Sequence, residues 1–217
     1  MAGAPPKLEE CLEALSRRGL LMLQDARLPS VTTIVAGAPV KGSWWGHAHG
    51  HRIFNAAQAL EQHPDVAVAK LIDGKVTYIH RRLWPALPAV GSAQADWQLF
   101  GLSPGAKALL AAVDKRGTIR TDLAAAVLKA PRRGVGKAAL ELEKRLLVAS
   151  EEVHTETGAH AKHLESWRVW AARRGVDEHG LSAAEARHAF EGVLAVMNRE
   201  AHAAAKLPWQ ARVKSRL

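Results

Sequence analysis

A cluster of basic residues in the second half of the sequence has the chemistry needed to hold phosphate groups. Arg132, Arg133 and Lys137 precede or open a segment with helical periodicity, residues 135–147. Because a helix N-terminus carries unpaired N–H groups and a partial positive charge, anions are favoured there. An arginine in this position can also bind the guanine edge in the DNA major groove. The alternative is that the three charges are only solvated at an exposed turn.

Further basic residues extend this candidate phosphate-binding set. They are Lys144, Arg81, Arg82, Arg212 and Lys214. The first lies in the same helical segment, the two arginines follow a predicted strand, and the last two belong to a C-terminal tail with no acidic residue. A local excess of positive charge is what a polyanionic partner requires. The competing interpretation of the arginine pair is a solvated end of an edge strand.

A glycine-rich loop in the first half brings aromatic and imidazole side chains together. Its residues are Trp44, Trp45, His47, His49 and His51. Exposed aromatic rings stack on bases or wedge into a groove of nucleic acid. Three histidines with a water molecule would also suit an open zinc site, but their alternating spacing lacks a helical i, i+4 pair and no carboxylate motif accompanies them. The sequence therefore favours a loop of polar or substrate-contacting histidines without a metal. Core or interdomain packing is the expected role of the tryptophan pair, and base stacking by these rings is the alternative.

Motifs for catalysis are missing from the sequence. Residues 64–70 contain an aspartate and a lysine in nuclease-like order, but the second acid that a two-metal site needs is absent. There is no glycine-rich phosphate loop, nucleophile elbow or dinucleotide fingerprint. The single cysteine, Cys11, excludes an internal disulfide framework. No catalytic residue and no cofactor are predicted.

Composition and charge narrow the class of protein. The 217 residues carry a formal net charge of +9, and 48% of them are hydrophobic, which argues against a disordered chain. Residues 1–100 hold ten basic and eight acidic residues, whereas residues 101–217 hold twenty and thirteen, so the positive excess is local. No apolar run is long enough for a transmembrane helix and no signal peptide is visible, so a cytoplasmic protein without membrane contact is expected.

The first half must position its loop with two helices and a hairpin. Apolar spacing predicts helices over residues 7–18 and 52–63, and residues 19–46 are interpreted mostly as loop. Two β-rich runs flank Asp73-Gly74, both of which tolerate the positive φ of a type I′ turn. The predicted fold of this half is an αβ unit.

The second half shows a different order of elements. A helix capped by Ser103 ends at Gly117, a short extended segment follows, and Thr121 is expected to cap a two-turn helix. The helix over 135–147 comes next, then two β-tolerant runs around a turn. Two further helices are predicted, one near residues 164–174 and one over 182–204, the latter opened by a Ser-Glu capping box.

Residues 103–165 resemble the winged helix-turn-helix superfamily. The resemblance is carried by SPGAKALLAAVDKRG, TIRTDLAAAVL, RRGVGKAALELEKRLLV and the HTETG hairpin, in that order. Among winged helices, the segment is similar to the modules of bacterial DNA-repair glycosylases of the tandem winged-helix type. The first half resembles that of uncharacterised bacterial proteins. The resemblance implies that residues 135–147 form the recognition helix, with its N-terminal end in the major groove.

The predicted wing departs from that pattern. It carries Glu151, Glu152 and Glu156 beside two histidines, His154 and His160. A wing lying along phosphates should be basic, so this one either stands off DNA or meets a protein. Winged helices also serve as protein-interaction modules, and fold alone does not fix function.

These observations predict an α+β protein, mainly helical, in four segments. The segments are an N-terminal αβ domain with the Asp-Gly hairpin (1–90), a linker (91–102), a winged helix-turn-helix (103–165), and C-terminal helices with a basic tail (166–217). The predicted function is non-enzymatic binding of duplex DNA. The alternatives are a glycosylase-like DNA-repair or other nucleic-acid-processing enzyme, with its active site near the histidine loop, and a protein-interaction module that uses the acidic wing.

Overall fold

The chain forms two compact units in a computed structural model that describes residues 7–155, 158–177 and 179–210. The first unit combines residues 7–84 with His188–Leu207, and the second combines Pro85–Arg187 with residues 208–210. Each unit contains one three-stranded antiparallel sheet. The fold class is α+β with helix predominating, which confirms the class expected from the sequence. The sequence pattern does not predict that His188–Leu207 belong to the first unit.

Within residues 7–84, the first unit contains three helices and three strands. They are α1 (Leu8–Arg18), β1 (Leu20–Met22), α2 (Val31–Ala36), α3 (Gly50–Glu61), β2 (Val66–Ile72) and β3 (Lys75–His80), with 3-10 turns at Trp44–Gly46 and Arg81–Leu83. The strands lie in the order β1-β3-β2. Asp73 and Gly74 have φ values of 51° and 66°, so the predicted Asp-Gly hairpin is confirmed.

Strand β1 and helix α2 lie in the stretch that the sequence indicates as mostly loop. Leu20 pairs with Ile79 and Met22 pairs with Thr77. All three residues of β1 are buried, so the strand shows no alternation between apolar and polar positions. Such a short buried strand is recognisable only once its partner β3 is known.

The core of the first unit forms where α1, α2 and α3 pack on the sheet. Cys11, Leu15, Ile53, Leu60 and Tyr78 are all fully buried there. Burial raises the pKa of the Cys11 thiol to about 12, which keeps it protonated and unreactive near neutral pH. The cysteine is therefore a packing residue.

Among the described residues of 85–187 and 208–210, the second unit contains six helices and three strands, and it also includes the start of a further helix. They are α4 (Ala86–Gly91), α5 (Asp96–Leu99), α6 (Pro104–Arg116), β4 (Thr118–Arg120), α7 (Thr121–Val127), α8 (Arg132–Lys144), β5 (Ala149–His154), β6 (His160–Glu165), α9 (Trp167–Arg174) and α10 (Ala183–Glu200), with a 3-10 turn at Pro208–Gln210. Helix α10 ends in the first unit. Helix α5 falls within the stretch interpreted as a linker.

Two predicted helix starts have the expected side-chain caps. The Ser103 hydroxyl accepts a hydrogen bond from the backbone N–H of Ala106 at 3.2 Å, which begins α6. Before α10, the backbone N–H of Ser182 donates to the Glu185 carboxylate at 2.9 Å, and the backbone N–H of Glu185 donates to the Ser182 hydroxyl at 3.2 Å. This reciprocal pair is the capping box predicted from the sequence.

Helix α8 begins and ends three residues earlier than the apolar spacing predicts. Pro131 stands at the N-cap with an extended backbone, so the helix starts at once with Arg132. At the other end Leu146 adopts a left-handed φ of 53°, which stops the helix although Leu146 and Leu147 remain buried. The apolar pattern continues beyond the helix because these capping residues also pack in the core.

Sheet pairing explains two other differences from the predicted elements. Thr121 is the first residue of α7 rather than its N-cap, and its hydroxyl accepts a hydrogen bond from the backbone N–H of Lys162 at 3.0 Å. Leu164 is a strand residue paired with Ile119 rather than the start of the next helix. In both cases a long-range contact replaces the local preference.

The core of the second unit lies between α6, α8 and the sheet, whose strands have the order β4-β6-β5. Leu109, Val113, Ala139, Leu142 and Leu164 are fully buried in it. Across the parts of the chain that the structure describes, no helix combines the length and apolar character needed to cross a bilayer.

Candidate functional site

Four basic side chains of α8 are exposed. Arg132, Arg133, Lys137 and Lys144 form no ion pair with any residue that the structure describes. The opposite side of the helix is buried in the core. Helical spacing places Arg133, Lys137 and Lys144 on a shared outward side, and Arg132 is exposed at the first position of the helix. The early start of α8 brings both arginines into its first turn. We call this exposed side of α8 the basic face.

Both carboxylates of α8 are held by partners within the second unit. Glu141 accepts hydrogen bonds from the backbone N–H and the hydroxyl of Ser103, at 3.1 and 2.7 Å. Glu143 is buried, and its oxygens accept hydrogen bonds from Lys162 Nζ at 2.6 and 2.7 Å and from the Ser150 hydroxyl at 2.6 Å. The positive charges of α8 thus face solvent while its negative charges are compensated.

Small residues interrupt the basic face near its N-terminal end. Gly134 and Gly136 are exposed, and a Cβ atom added to Gly136 would meet nothing within 4 Å. Glycine in a helix interior is about 1 kcal/mol less favourable than alanine. Packing within the described chain therefore gives no reason for glycine at this position. Leu140, further along the same face, is 38% exposed.

A groove of about 640 Å³ lies between the start of α8 and the β5–β6 hairpin. Cationic, anionic and small residues share its lining, which includes Arg120, Arg132, Gly136, Glu152, His160 and Lys162. Asp122 also lines it, but two hydrogen bonds from Arg120, at 3.1 and 2.6 Å, engage its carboxylate and hold the pKa of Asp122 below its ordinary value. The basic face therefore continues into a polar groove.

The hairpin is less acidic in effect than its sequence suggests. Glu151 lies 2.7 Å from Arg173 Nη2 and 3.9 Å from Arg174 Nη2. Glu152 is exposed and borders the groove, whereas Glu156 lies outside the described residues. Arg173 Nη2 also lies 2.7 Å from Glu165, so the arginines of α9 offset only in part Glu151, which is one of the three carboxylates on which the acidic-wing interpretation depends.

Arg81 and Arg82 have internal partners in the first unit. The Arg82 guanidinium donates to the backbone carbonyls of Ser16 and Arg17, at 2.7 and 3.1 Å. These carbonyls belong to the last turn of α1, where a cation is favoured. Arg81 Nη1 lies 3.2 Å from an Asp65 oxygen, and both side chains are exposed. The geometry gives Arg82 a capping role in the fold.

The predicted tail contacts, Arg212 and Lys214, lie outside the described residues.

The tryptophan pair is divided between the core and the surface. Trp44 is 9% exposed, whereas Trp45 is 66% exposed and stacks on it with ring centroids 4.2 Å apart. Phe54 of α3 is 36% exposed, and its ring centroid lies 5.6 Å from that of Trp45. We call Trp45 and Phe54 the aromatic platform. Phe54 is off the apolar side of its predicted helix, which is the one signal in the sequence that identifies it as exposed.

The histidine loop shapes the turn before α3. His47 Nδ1 accepts a hydrogen bond from the backbone N–H of His49 at 3.1 Å, and the His47 carbonyl accepts one from Gly50 at 2.8 Å. A Cβ atom on Gly50 would come within 2.9 Å of the Trp44 carbonyl oxygen, so the close turn requires glycine there. His51 is exposed at the start of α3.

No group of three or more histidine, cysteine, aspartate or glutamate side chains within residues 7–155, 158–177 and 179–210 is arranged to hold a metal ion. The hairpin histidines His154 and His160 form a cross-strand pair with ring centroids 4.6 Å apart.

Sequence reasoning identifies the cations of the basic face but misses the residues that border it. Gly136 and Lys162 join the groove because the hairpin folds beside α8, and no local pattern predicts that contact. Comparison of the chain with protein-family models, with curated proteins and with solved structures finds no match.

Proposed function

We propose that the chain binds duplex DNA through the basic face of α8, and that residues 103–165 act as a winged helix-turn-helix domain. The observation that carries the proposal is the separation of charge on α8. Its four cations are exposed without described ionic partners, whereas its two carboxylates are engaged. A surface of this kind attracts phosphates without opposing them with its own acids.

The order of the elements supports the domain assignment. Helix α6, the short strand β4, helices α7 and α8, and the β5–β6 hairpin follow one another as in a winged helix. Antiparallel pairing of β4 with β6 closes the three-stranded sheet beside the helices. In this arrangement α8 is the recognition helix, and its first turn, with Arg132 and Arg133, is the part that approaches the bases.

The exposed glycines support close approach of a ligand. Gly136 has open space beside it and borders the groove that leads to the hairpin. The described residues leave room for a side chain at this position, and we attribute the glycine to close approach of a ligand. A sugar-phosphate backbone can come nearer to glycine than to any other residue.

The proposal is tested by fluorescence anisotropy with a labelled duplex of about 20 base pairs at several salt concentrations. The full chain should bind, and log affinity should fall linearly with log salt by about 0.9 for each phosphate contact. An Arg132→Ala/Arg133→Ala/Lys137→Ala variant should flatten the slope by about 2–3 and lower the affinity on the order of 100-fold near 0.1 M salt.

The matched control removes the same amount of charge elsewhere in the second unit. Lys107, Lys115 and Arg116 are exposed on α6, and their triple alanine variant has the same net charge as the α8 variant. In this control variant the slope of log affinity against log salt should differ from the wild-type slope by no more than about 0.9, the value for one phosphate contact. Lack of duplex binding at low salt, or equal losses in the two variants, would rule out the basic face as the DNA contact.

Gly136→Ala should stabilise the protein while weakening its binding to DNA. Alanine removes a helix penalty of about 1 kcal/mol, so the melting temperature should rise by about 2–4 °C. The added methyl group should lower duplex affinity about fivefold or more because it holds the DNA backbone away. Thermal melting and the same anisotropy assay measure the two effects.

Gly134→Ala is the control for that experiment, since Gly134 is also exposed and helical but does not line the groove. It should raise the melting temperature with less effect on affinity. If Gly136→Ala binds duplex as tightly as the wild type, close approach at this position is wrong.

A further inference from the structure

The aromatic platform of the first unit is a surface without a structural explanation. Trp45 is 66% exposed, although burial of such a large apolar ring is strongly favourable. Trp44 beneath it already fills the core, with the two ring planes inclined by 22°. Phe54 extends the exposed apolar surface on the neighbouring helix α3. The fold thus holds two aromatic rings together at the surface.

The backbone around Trp45 fixes the ring in position. The backbone N–H of His47 donates to the Trp44 carbonyl at 3.1 Å, which closes the 3-10 turn. Gly50 lies so close to the Trp44 and Trp45 carbonyls that any side chain would clash with them. A ring held in this way loses little conformational entropy when it binds a ligand.

The sequence around the platform contains positive charge only. Residues 26–60 include no aspartate or glutamate, but they include Arg27, Lys41 and Arg52. His51, an exposed hydrogen-bonding side chain, precedes Phe54 by three residues and so lies beside it on the helix surface. The first carboxylate further along α3 is Glu61, two turns beyond Phe54. The exposed rings, the neighbouring imidazole and the positive net charge of this stretch of sequence suit a ligand that is both aromatic and anionic.

We propose that Trp45, with Phe54 beside it, stacks an unpaired base of a single-stranded nucleic acid. Every base has a π-face, and stacking on an aromatic side chain contributes about 1–3 kcal/mol. The platform consists of two side chains, so its size matches one or two bases. A stable protein interface is larger and buries about 800 Å² on each partner. The site is in the first unit and does not depend on the duplex contact proposed for α8.

The experiment measures anisotropy of a labelled oligothymidine of about 15 nucleotides with the full chain. The wild type should bind, and Trp45→Ala should lower the affinity about 5- to 150-fold, which corresponds to the stacking energy of one base. Trp45→Phe should recover most of the loss because it keeps an aromatic ring. Duplex binding by Trp45→Ala should be unchanged, whereas the triple alanine variant of α8 should bind the duplex on the order of 100-fold more weakly near 0.1 M salt.

Phe100→Ala is the matched control, because Phe100 is 59% exposed in the second unit and should not affect oligothymidine binding. Because Trp45 is 66% exposed but stacks on Trp44, Trp45→Ala should lower the melting temperature by only about 1–6 °C and leave the protein folded in the binding assay. The proposal is overturned if the wild type does not bind oligothymidine at low salt, or if Trp45→Ala binds it like Phe100→Ala. Self-association that Trp45→Ala abolishes, without oligothymidine binding, would also overturn it and assign the platform to a protein contact.

Discussion

Replacement of Gly91 by alanine is expected to destabilise the second unit severely. A Cβ atom at Gly91 would lie 2.1 Å from both Cδ1 and Nε1 of Trp167, far inside van der Waals contact. The indole cannot move aside easily, because it is 3% exposed and its Nε1 donates to the Leu146 carbonyl at 2.7 Å. Overpacking of this severity should cost more than about 3 kcal/mol.

Urea denaturation followed by circular dichroism measures this loss. Gly192→Ala is the control, since Gly192 is also helical but has open space beside it, and it should stabilise the protein by about 0.5–1 kcal/mol. Combining Gly91→Ala with Trp167→Leu should recover part of the stability relative to the additive expectation, because the smaller side chain leaves room for the methyl group. A wild-type urea midpoint for Gly91→Ala would contradict the close packing of α4 on α9.

The second large effect is expected from Glu143→Ala. The carboxylate is buried and accepts three hydrogen bonds, two from Lys162 and one from Ser150, all between 2.6 and 2.7 Å. Removing one partner of a buried ion pair typically costs 3–5 kcal/mol. Because the Lys162 side chain is 28% exposed and can turn to water, we expect a smaller loss of about 2–4 kcal/mol.

A double-mutant cycle isolates the ion pair. Lys162→Met alone leaves a buried carboxylate, and the double variant should be less destabilised than the sum of the two single variants by about 1–3 kcal/mol. As a control, Glu152→Ala removes an exposed carboxylate from the β5–β6 hairpin, which also carries Lys162. It should change the unfolding free energy by less than about 0.5 kcal/mol. Additive single effects would show that Glu143 and Lys162 are not coupled.

Local signals predict much of the secondary structure. Ser103 and Gly117 bound α6, the Ser182–Glu185 pair opens α10, and Asp73-Gly74 turns the hairpin, since each depends on residues close in sequence. The apolar pattern does not predict the C-terminal end of α8, because residues after the helix still pack in the core. Strand β1 and the return of α10 to the first unit depend on contacts between distant residues, which no local pattern reveals.

The candidate site also has features that the local sequence predicts and features that it does not. The exposure of Arg133 and Lys137 follows from their spacing around the apolar side of α8, whereas Arg132 is exposed because it stands at the start of the helix. The capping of α1 by Arg82 and the compensation of Glu151 by α9 require tertiary contacts. Charge counting along the sequence therefore overstates both the basic surface near Arg82 and the acidity of the hairpin.

The discontinuous first unit has a consequence for synthesis on the ribosome. Its hairpin turn is tied to a residue near the end of the chain: the backbone N–H of Asp73 donates to the Lys206 carbonyl at 2.9 Å, and the backbone N–H of Lys206 donates to the Asp73 carboxylate at 3.0 Å. The sheet of the second unit lies wholly within Pro85–Arg187. During translation the three strands of the first unit emerge before the second unit does, but the contacts of their hairpin turn with Lys206 can form only after nearly the whole chain has left the ribosome.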